Sequence, residues 1–167
     1  MSSQPIIFED SSYEEICEQI KEEGRRKFGA GGYTRLVFSN GVFDLLHMGH
    51  LKLLNECRTI AGPRGAVVIG VNSDASVSRL KGPTRPITDE ATRCSILIFM
   101  KAVDHVITFE EDTPINLIES LRPDVIVKGS DYKGKIVVGS HLAPVMYVDL
   151  ESGKSTTSII ERIQNAK

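Results

Sequence analysis

The sequence predicts an α/β domain built on a doubly wound parallel sheet of about five strands. Three observations carry that prediction. From Thr34 onward, short apolar runs alternate with stretches of helical periodicity. The run Ala66-Val67-Val68-Ile69-Gly70-Val71 is apolar throughout, as a strand covered on both faces must be. The chain has 167 residues, the length of one domain able to bury a good core. The expected arrangement is Rossmann-like, with ligands beyond the carboxyl ends of the strands.

Ser11–Phe28 reads as an amphipathic helix, with Ser11 or Ser12 as cap. Glu14 and Glu15 in its first turn and Arg25-Arg26-Lys27 in its last suit the helix dipole. Three charges at a helix end read as a solvated terminus, not a nucleic-acid or membrane patch. Gly29-Ala30-Gly31-Gly32 then breaks the chain, so residues 1–32 are expected as a helical appendage and 33–167 as the domain proper. Leu36-Val37-Phe38 is the next strand. Met48–Ile60 follows as a helix through Leu51, Leu53, Leu54, Cys57 and Ile60. After the strand Ala66–Val71, the stretch Arg79-Leu80-Lys81-Gly82-Pro83-Thr84-Arg85-Pro86-Ile87 has the composition of a mobile cationic flap. Thr88–Lys101 is a helix capped by Thr88, and His105–Phe109 a strand. Thr113–Leu121 is a helix with Pro114 at its first position. Val125–Val127 and Val145–Leu150 complete the strands, and Thr156–Gln164 closes the chain as a helix.

A net charge of −2 implies no broad basic face, hence no nucleic-acid partner. Cys17, Cys57 and Cys94 show no CxxC spacing; Cys57 and Cys94 fall in apolar helical patterns and read as core fillers. This argues for a reducing compartment. The N-terminus lacks the pattern of a secretory signal. Apolar runs such as Ile96–Met100 are too short to span a bilayer. A cytoplasmic protein without membrane contact is expected.

The chemistry is concentrated in Ser39–His50. A strand, a glycine-bearing turn and a helix start expose unpartnered N–H groups and so make an anion site. His47 and His50, three residues apart, lie on one face, and Gly49 between them lets phosphate oxygens approach the backbone. Two other phosphate motifs fail. GxGxxG is absent after Leu36-Val37-Phe38, which weighs against a nicotinamide enzyme. Ser152-Gly153-Lys154-Ser155-Thr156 sits where a P-loop would, but the required upstream glycine position is Val148. What survives there is a set of hydroxyls at a helix start, Ser155, Thr156 and Thr157, the usual choice for a cap. Lys128 ends a strand on the ligand edge, and Gly129 permits a tight turn before Asp131.

His47-Met48-Gly49-His50 after Asn40-Gly41-Val42-Phe43-Asp44 resembles the HxGH signature of the cytidylyltransferase-like nucleotidyltransferases. Asn72-Ser73-Asp74, Arg79-Leu80-Lys81-Gly82 and Arg85-Pro86 are similar to the bacterial heptose 1-phosphate adenylyltransferases. Lys128-Gly129-Ser130-Asp131-Tyr132 and Ser155-Thr156-Thr157 extend the resemblance, which spans about Leu36 to Arg162. Ser130 stands where the heptose enzymes commonly have glycine. Gly134–Met146 is short, as in the glycerol-3-phosphate cytidylyltransferases.

The resemblance implies transfer of a nucleoside monophosphate from ATP (or CTP) to a sugar phosphate, heptose 1-phosphate in the favoured branch, with pyrophosphate released. It implies that His47 and His50 contact the phosphates and that Lys81 is a mobile cation. Asn40, Gly41, Phe43, Gly49, Lys128, Gly129, Asp131, Ser155, Thr156 and Thr157 would bind the nucleotide. Asp44 and Asp74 would contact the second substrate, with capping of the following helix an equal job for Asp44. Arg93 is given a structural or subunit-contact role as readily as an active-site one. Magnesium is expected on the triphosphate and not in a protein metal site, and a homodimer is implied. The alternatives are a glycerol-3-phosphate cytidylyltransferase and, from another class, a non-catalytic nucleotide-binding or sensing protein. His105 and His141 match nothing in the family and read as satisfied or exposed side chains.

Overall fold

A computed structural model describes residues 6–8, 12–149 and 155–166. Its strands are β1 (Ile6–Phe8), β2 (Leu36–Gly41), β3 (Ala66–Asn72), β4 (His105–Phe109), β5 (Val125–Gly129) and β6 (Val145–Val148). They form one six-stranded sheet in the order β1-β4-β3-β2-β5-β6, every pairing parallel. The helices are α1 (Tyr13–Phe28), α2 (Met48–Ala61), α3 (Asp74–Lys81), α4 (Glu90–Ile98), α5 (Ile115–Leu121) and α6 (Thr156–Gln164).

The two-residue period of the strands divides the core between the faces of the sheet. Val67, Ile69 and Val71 of β3 join Leu53, Leu54 and Cys57 of α2 and Leu97 of α4 on one face. Val68 joins Phe38, Ile16 and Ile20 of α1, and Leu117 and Ile118 of α5 on the other. Every residue of β3 is buried, which is why its sequence shows no alternation.

About five strands were expected, and the described residues form six. The additional one is β1, paired with the edge strand β4 through Ile6–His105, Ile7–Val106 and Phe8–Ile107. The expectation of an appendage over 1–32 is corrected with it: β1 extends the sheet, and α1 buries Ile16, Cys17 and Ile20 against one face. Ser12 and Glu15 cap α1 reciprocally. All three cysteines are buried, and none forms a disulfide among the described residues.

The predicted flap is corrected as well. Arg79, Leu80 and Lys81 are the last residues of α3, which is capped by Ser73, whose hydroxyl accepts from the Ser76 N–H at 3.1 Å. The helix stops at Gly82, which has a φ of 96° that glycine alone takes up easily. The cap of α4 is Asp89, one residue past the expected Thr88. Pro114 occupies the cap position of α5 in place of its first turn. The strand expected over Val145–Leu150 ends at Val148; Leu150 and Ser152-Gly153-Lys154 lie outside the described residues. Between β5 and β6 there is a 3-10 turn, Ser130–Tyr132, and no α-helix. No helix among the described residues is long and apolar enough to cross a membrane.

Candidate active site

The chain leaves β2 at Gly41 and turns sharply at Phe43, whose φ of 51° is left-handed and costly for a bulky residue. The cost is offset by burial of the ring, which packs against the His50 imidazole at 5.1 Å between centroids. His47 caps α2: its Nδ1 accepts from the Gly49 N–H at 3.1 Å, so the neutral ring carries its proton on Nε2. The His47 and His50 rings lie 3.9 Å apart and tilted by 38°. Burial, with lesser contributions from His47 and Lys81, pushes His50 down from 6.5 to about 4. Burial also lowers His47. Both rings are therefore neutral near pH 7, and the buried Nδ1 of His50 has no partner.

These residues form one wall of a cleft of about 630 Å³. It opens where β3 and β5 diverge on opposite sides of β2, the switch point at which such sheets hold ligands. Lys128 and Gly129 of β5 and the Ser130–Tyr132 turn form the second wall; Ser155 and Thr156 at the start of α6 close it. Lys81, at the end of α3, and Arg85 form the far end. Lys128 is 6% exposed and donates from Nζ to the Asn40 carbonyl at 3.2 Å and to Asn40 Oδ1 at 2.5 Å. Burial lowers it to about 8 against the pull of Asp131. Burial and the neighbouring Arg85 lower Lys81, and Asp44 opposes them. Thr156 Oγ1 donates to the Leu45 carbonyl at 3.1 Å, holding the start of α6 against the loop that precedes α2. Gly129 has an ordinary φ of −63°; the Ser130–Tyr132 turn supplies the bend expected of it.

The Cytidylyltransferase-like family profile matches residues 38–162. The chain belongs to the cytidylyltransferase-like family. The bifunctional protein HldE of Campylobacter concisus is 48% identical over 157 residues, covering 93% of this chain and 31% of that protein. HldE of Geotalea uraniireducens is 53% identical over 135 residues, covering 78% and 27%. The chain thus spans about three tenths of the length of these curated relatives. Among solved structures, a lipopolysaccharide core biosynthesis protein from Thermoplasma volcanium superposes with a TM-score of 0.55 at 28% identity, covering 72% of this chain and 98% of that one. A pantoate-beta-alanine ligase from Francisella tularensis shares the fold, with a TM-score of 0.56 at 13% identity over 89% of this chain and 69% of that one.

Besides Asp44, the cytidylyltransferase-like cleft is lined by twelve of the fifteen residues selected from the sequence: His47, His50, Lys81, Asn40, Gly41, Phe43, Gly49, Lys128, Gly129, Asp131, Ser155 and Thr156. Three stand differently. Asp44 reaches the cleft wall, but its carboxylate is fully engaged by Arg85 and by the Ile87 and Thr88 N–H groups, at 2.8–3.0 Å. Burial would raise its pKa, and these donors outweigh burial and lower it. Asp74 lies outside the cleft, paired with Arg93 Nη2 at 2.7 Å and accepting from the Glu90 N–H at 3.1 Å. Thr157 is exposed and off the wall, since the next residue of a helix turns about 100° away. Arg93 proves structural: 1% exposed, it donates to the carbonyls of Thr88, Val42 and Asn72 and to Asp74.

The sequence reading passed over Arg85 and Tyr132 as site residues. Arg85 shares the cationic stretch with Lys81. The Tyr132 ring lies 5.0 Å from Lys128 Nζ, a cation–π distance, one residue past Asp131. Among the described residues, no group of three or more His, Cys, Asp or Glu is disposed to hold a metal ion.

The lowered histidines make stability fall with acid. His50 titrates near 6.5 unfolded and about 4 folded, so the unfolded state takes up its proton first as pH falls. Its contribution is complete above about 6.5, is lost between about 6.5 and 4, and amounts to roughly 3 kcal/mol. His105, buried beside Glu23 and Tyr33, acts in the same direction: burial lowers it, with Glu23 and Asp104 pulling the other way. The Asp44 carboxylate is lost only below this window. Urea midpoints are expected to drop steeply from pH 7 to pH 4.5, and less steeply in His50→Ala. Equal slopes would contradict the burial of His50.

Proposed function

We propose that the chain is a nucleotidyltransferase that moves AMP from ATP to a sugar phosphate, heptose 1-phosphate, giving ADP-heptose and pyrophosphate. One observation supports this above all: a cleft at the switch point is lined by two neutral histidines, the start of α2, two lysines and the start of α6, a donor set suited to a triphosphate. The HldE relatives support the sugar-phosphate branch. A phosphate oxygen of the sugar phosphate attacks the α-phosphorus, and the bond to the β-phosphate oxygen breaks in line. Positioning and charge neutralisation carry such a transfer. His47 and His50 donate to phosphate oxygens as charge moves onto pyrophosphate, and Lys81 follows that charge from α3. Lys128, Gly129, Asp131, Asn40 and Gly41 hold the ribose and base. Ser155 and the first N–H groups of α6, with Thr156 fixing their position, meet the phosphates from the far side.

Magnesium would enter as part of the nucleotide substrate, neutralising phosphate charge. Of the two carboxylates lining the cleft, Asp44 is already engaged by Arg85 and backbone N–H groups and Asp131 stands on the opposite wall, so in this reading the cation sits on the triphosphate. A cytoplasmic homodimer completes the reading; three buried cysteines without a disulfide among the described residues support the reducing compartment.

Pyrophosphate release, with ATP and CTP each crossed against heptose 1-phosphate and glycerol 3-phosphate, tests it. Release is expected only with ATP and the heptose. Release only with CTP and glycerol phosphate would replace this reading with the cytidylyltransferase one. Nucleotide binding without release from any pair would replace it with a non-catalytic nucleotide-binding protein.

A further inference from the structure

Arg85 has no role in the reading above, yet it is built into the cleft. Its side chain is 13% exposed, and Asp44 opposite it is 1% exposed. Arg85 Nε and Nη2 both meet Asp44 Oδ2 at 2.8 Å. Asp44 Oδ1 is taken by the N–H groups of Thr88 at 2.8 Å and Ile87 at 3.0 Å. One edge of the guanidinium is therefore locked, and Nη1 has no acceptor among the described residues. The backbone is fixed too: the Arg85 carbonyl accepts from Ser78 Oγ at 2.7 Å, and its N–H donates to the Gly82 carbonyl at 3.1 Å. Lys81 and Arg85 are thereby carried on one rigid corner following α3.

We propose that Arg85, held edge-on by Asp44, is the anchor for the phosphate of the acceptor sugar phosphate. The inference rests on the nucleotidyl-transfer reading and deepens it. The order of the sheet divides the cleft. Lys128, Gly129 and Tyr132 lie on the β5 side of β2, at the switch point, where the nucleoside is held. The two histidines stand at the centre, after β2. Arg85 stands on the other flank, beyond β2 on the side of β3 and α3. In-line transfer requires the attacking oxygen to approach the α-phosphorus opposite to the departing pyrophosphate. A second phosphate must then enter from a flank that the nucleoside does not fill.

Charge fits as well. Lys81 and Arg85 bring two cations against the single buried carboxylate of Asp44, so this end of the cleft has a net positive charge awaiting an anion. A planar guanidinium with one edge fixed presents its remaining N–H groups in one direction, which a lysine cannot do. That orientation would hold a non-attacking oxygen of the acceptor phosphate while another oxygen reacts.

The test is the Michaelis constant for heptose 1-phosphate read beside the dissociation constant for ATP in wild type, Arg85→Gln and Arg85→Lys. Arg85→Gln is expected to raise the acceptor constant at least tenfold and to leave ATP affinity within twofold; Arg85→Lys should fall between. An unchanged acceptor constant, or ATP affinity falling in step with it, would overturn the assignment. Removing Arg85 strips Asp44 of its partner, so the double variant D44N/R85Q is measured too. It should recover thermal stability and keep the acceptor defect; recovery of acceptor binding would show that Arg85 only neutralises Asp44. A wild type that releases no pyrophosphate with any sugar phosphate would sink the functional reading separately. In that event inorganic phosphate is titrated calorimetrically into the ATP-saturated protein. Binding that Arg85→Gln abolishes would uphold the anchor, and absence of binding would overturn it.

Discussion

His50→Ala is expected to lower kcat by about 100-fold, with the protein still folded and ATP still bound. The size follows from the loss of one preorganised donor where charge develops, which typically costs two to three orders of magnitude. His50 stands out because its ring is held between Phe43 and His47 and is neutral before the phosphates arrive. A neutral ring displaced toward its charged form by a polyanion interacts more strongly as charge accumulates, which favours the transition state over the ground state. Steady-state pyrophosphate release checks the rate, and a cooperative thermal transition checks the fold. Wild-type turnover in this variant would remove the histidines from the phosphate site.

Arg93→Ala is expected to destabilise the protein by roughly 3 kcal/mol or more, since three carbonyls lose the donor of a fully buried guanidinium at about 1–3 kcal/mol each, while Asp74 stays partly solvated. The side chain joins four parts of the chain. Nη1 holds the Val42 carbonyl at 2.6 Å in the loop before α2, and Nη2 holds the Asn72 carbonyl at 2.9 Å at the end of β3. Asp74 is held at the start of α3, and Thr88 just before α4 at 3.0 Å. Truncation leaves buried carbonyls without donors as well as a cavity. Equilibrium denaturation reads the effect. A loss below about 1 kcal/mol, with kinetics alone impaired, would return Arg93 to the catalytic machinery.

The central strands and the histidines of the cleft were legible because each is a local pattern. A fully apolar run marks β3, and a histidine pair after a strand and turn marks the start of α2. What escaped was either weakly patterned or set by distant partners. In α3 only Ala75, Val77 and Leu80 are apolar, and Leu80 is half exposed, so no helical stripe announces it. Asp44 and Asp74 read as substrate contacts because a carboxylate beside a ligand motif invites that reading. Their partners Arg85 and Arg93 lie 41 and 19 residues further along the chain, and spacing in sequence says nothing of such pairs. Arg93 had an undecided role for the same reason: an arginine in a helix reads as exposed until the carbonyls around it are known.

The placement of β1 bears on the order in which the molecule can be assembled. Ile6 pairs with His105, a closure of 99 residues, whereas Leu36 pairs with Ala66 across 30. During synthesis β1 must wait for β4, and β2 and β3 with the turn before α2 can be in place before it docks. His47 and His50 thus lie in a part of the chain that can form before that edge of the sheet is closed, whereas Lys128, Ser155 and α6 complete the cleft from residues made after β4.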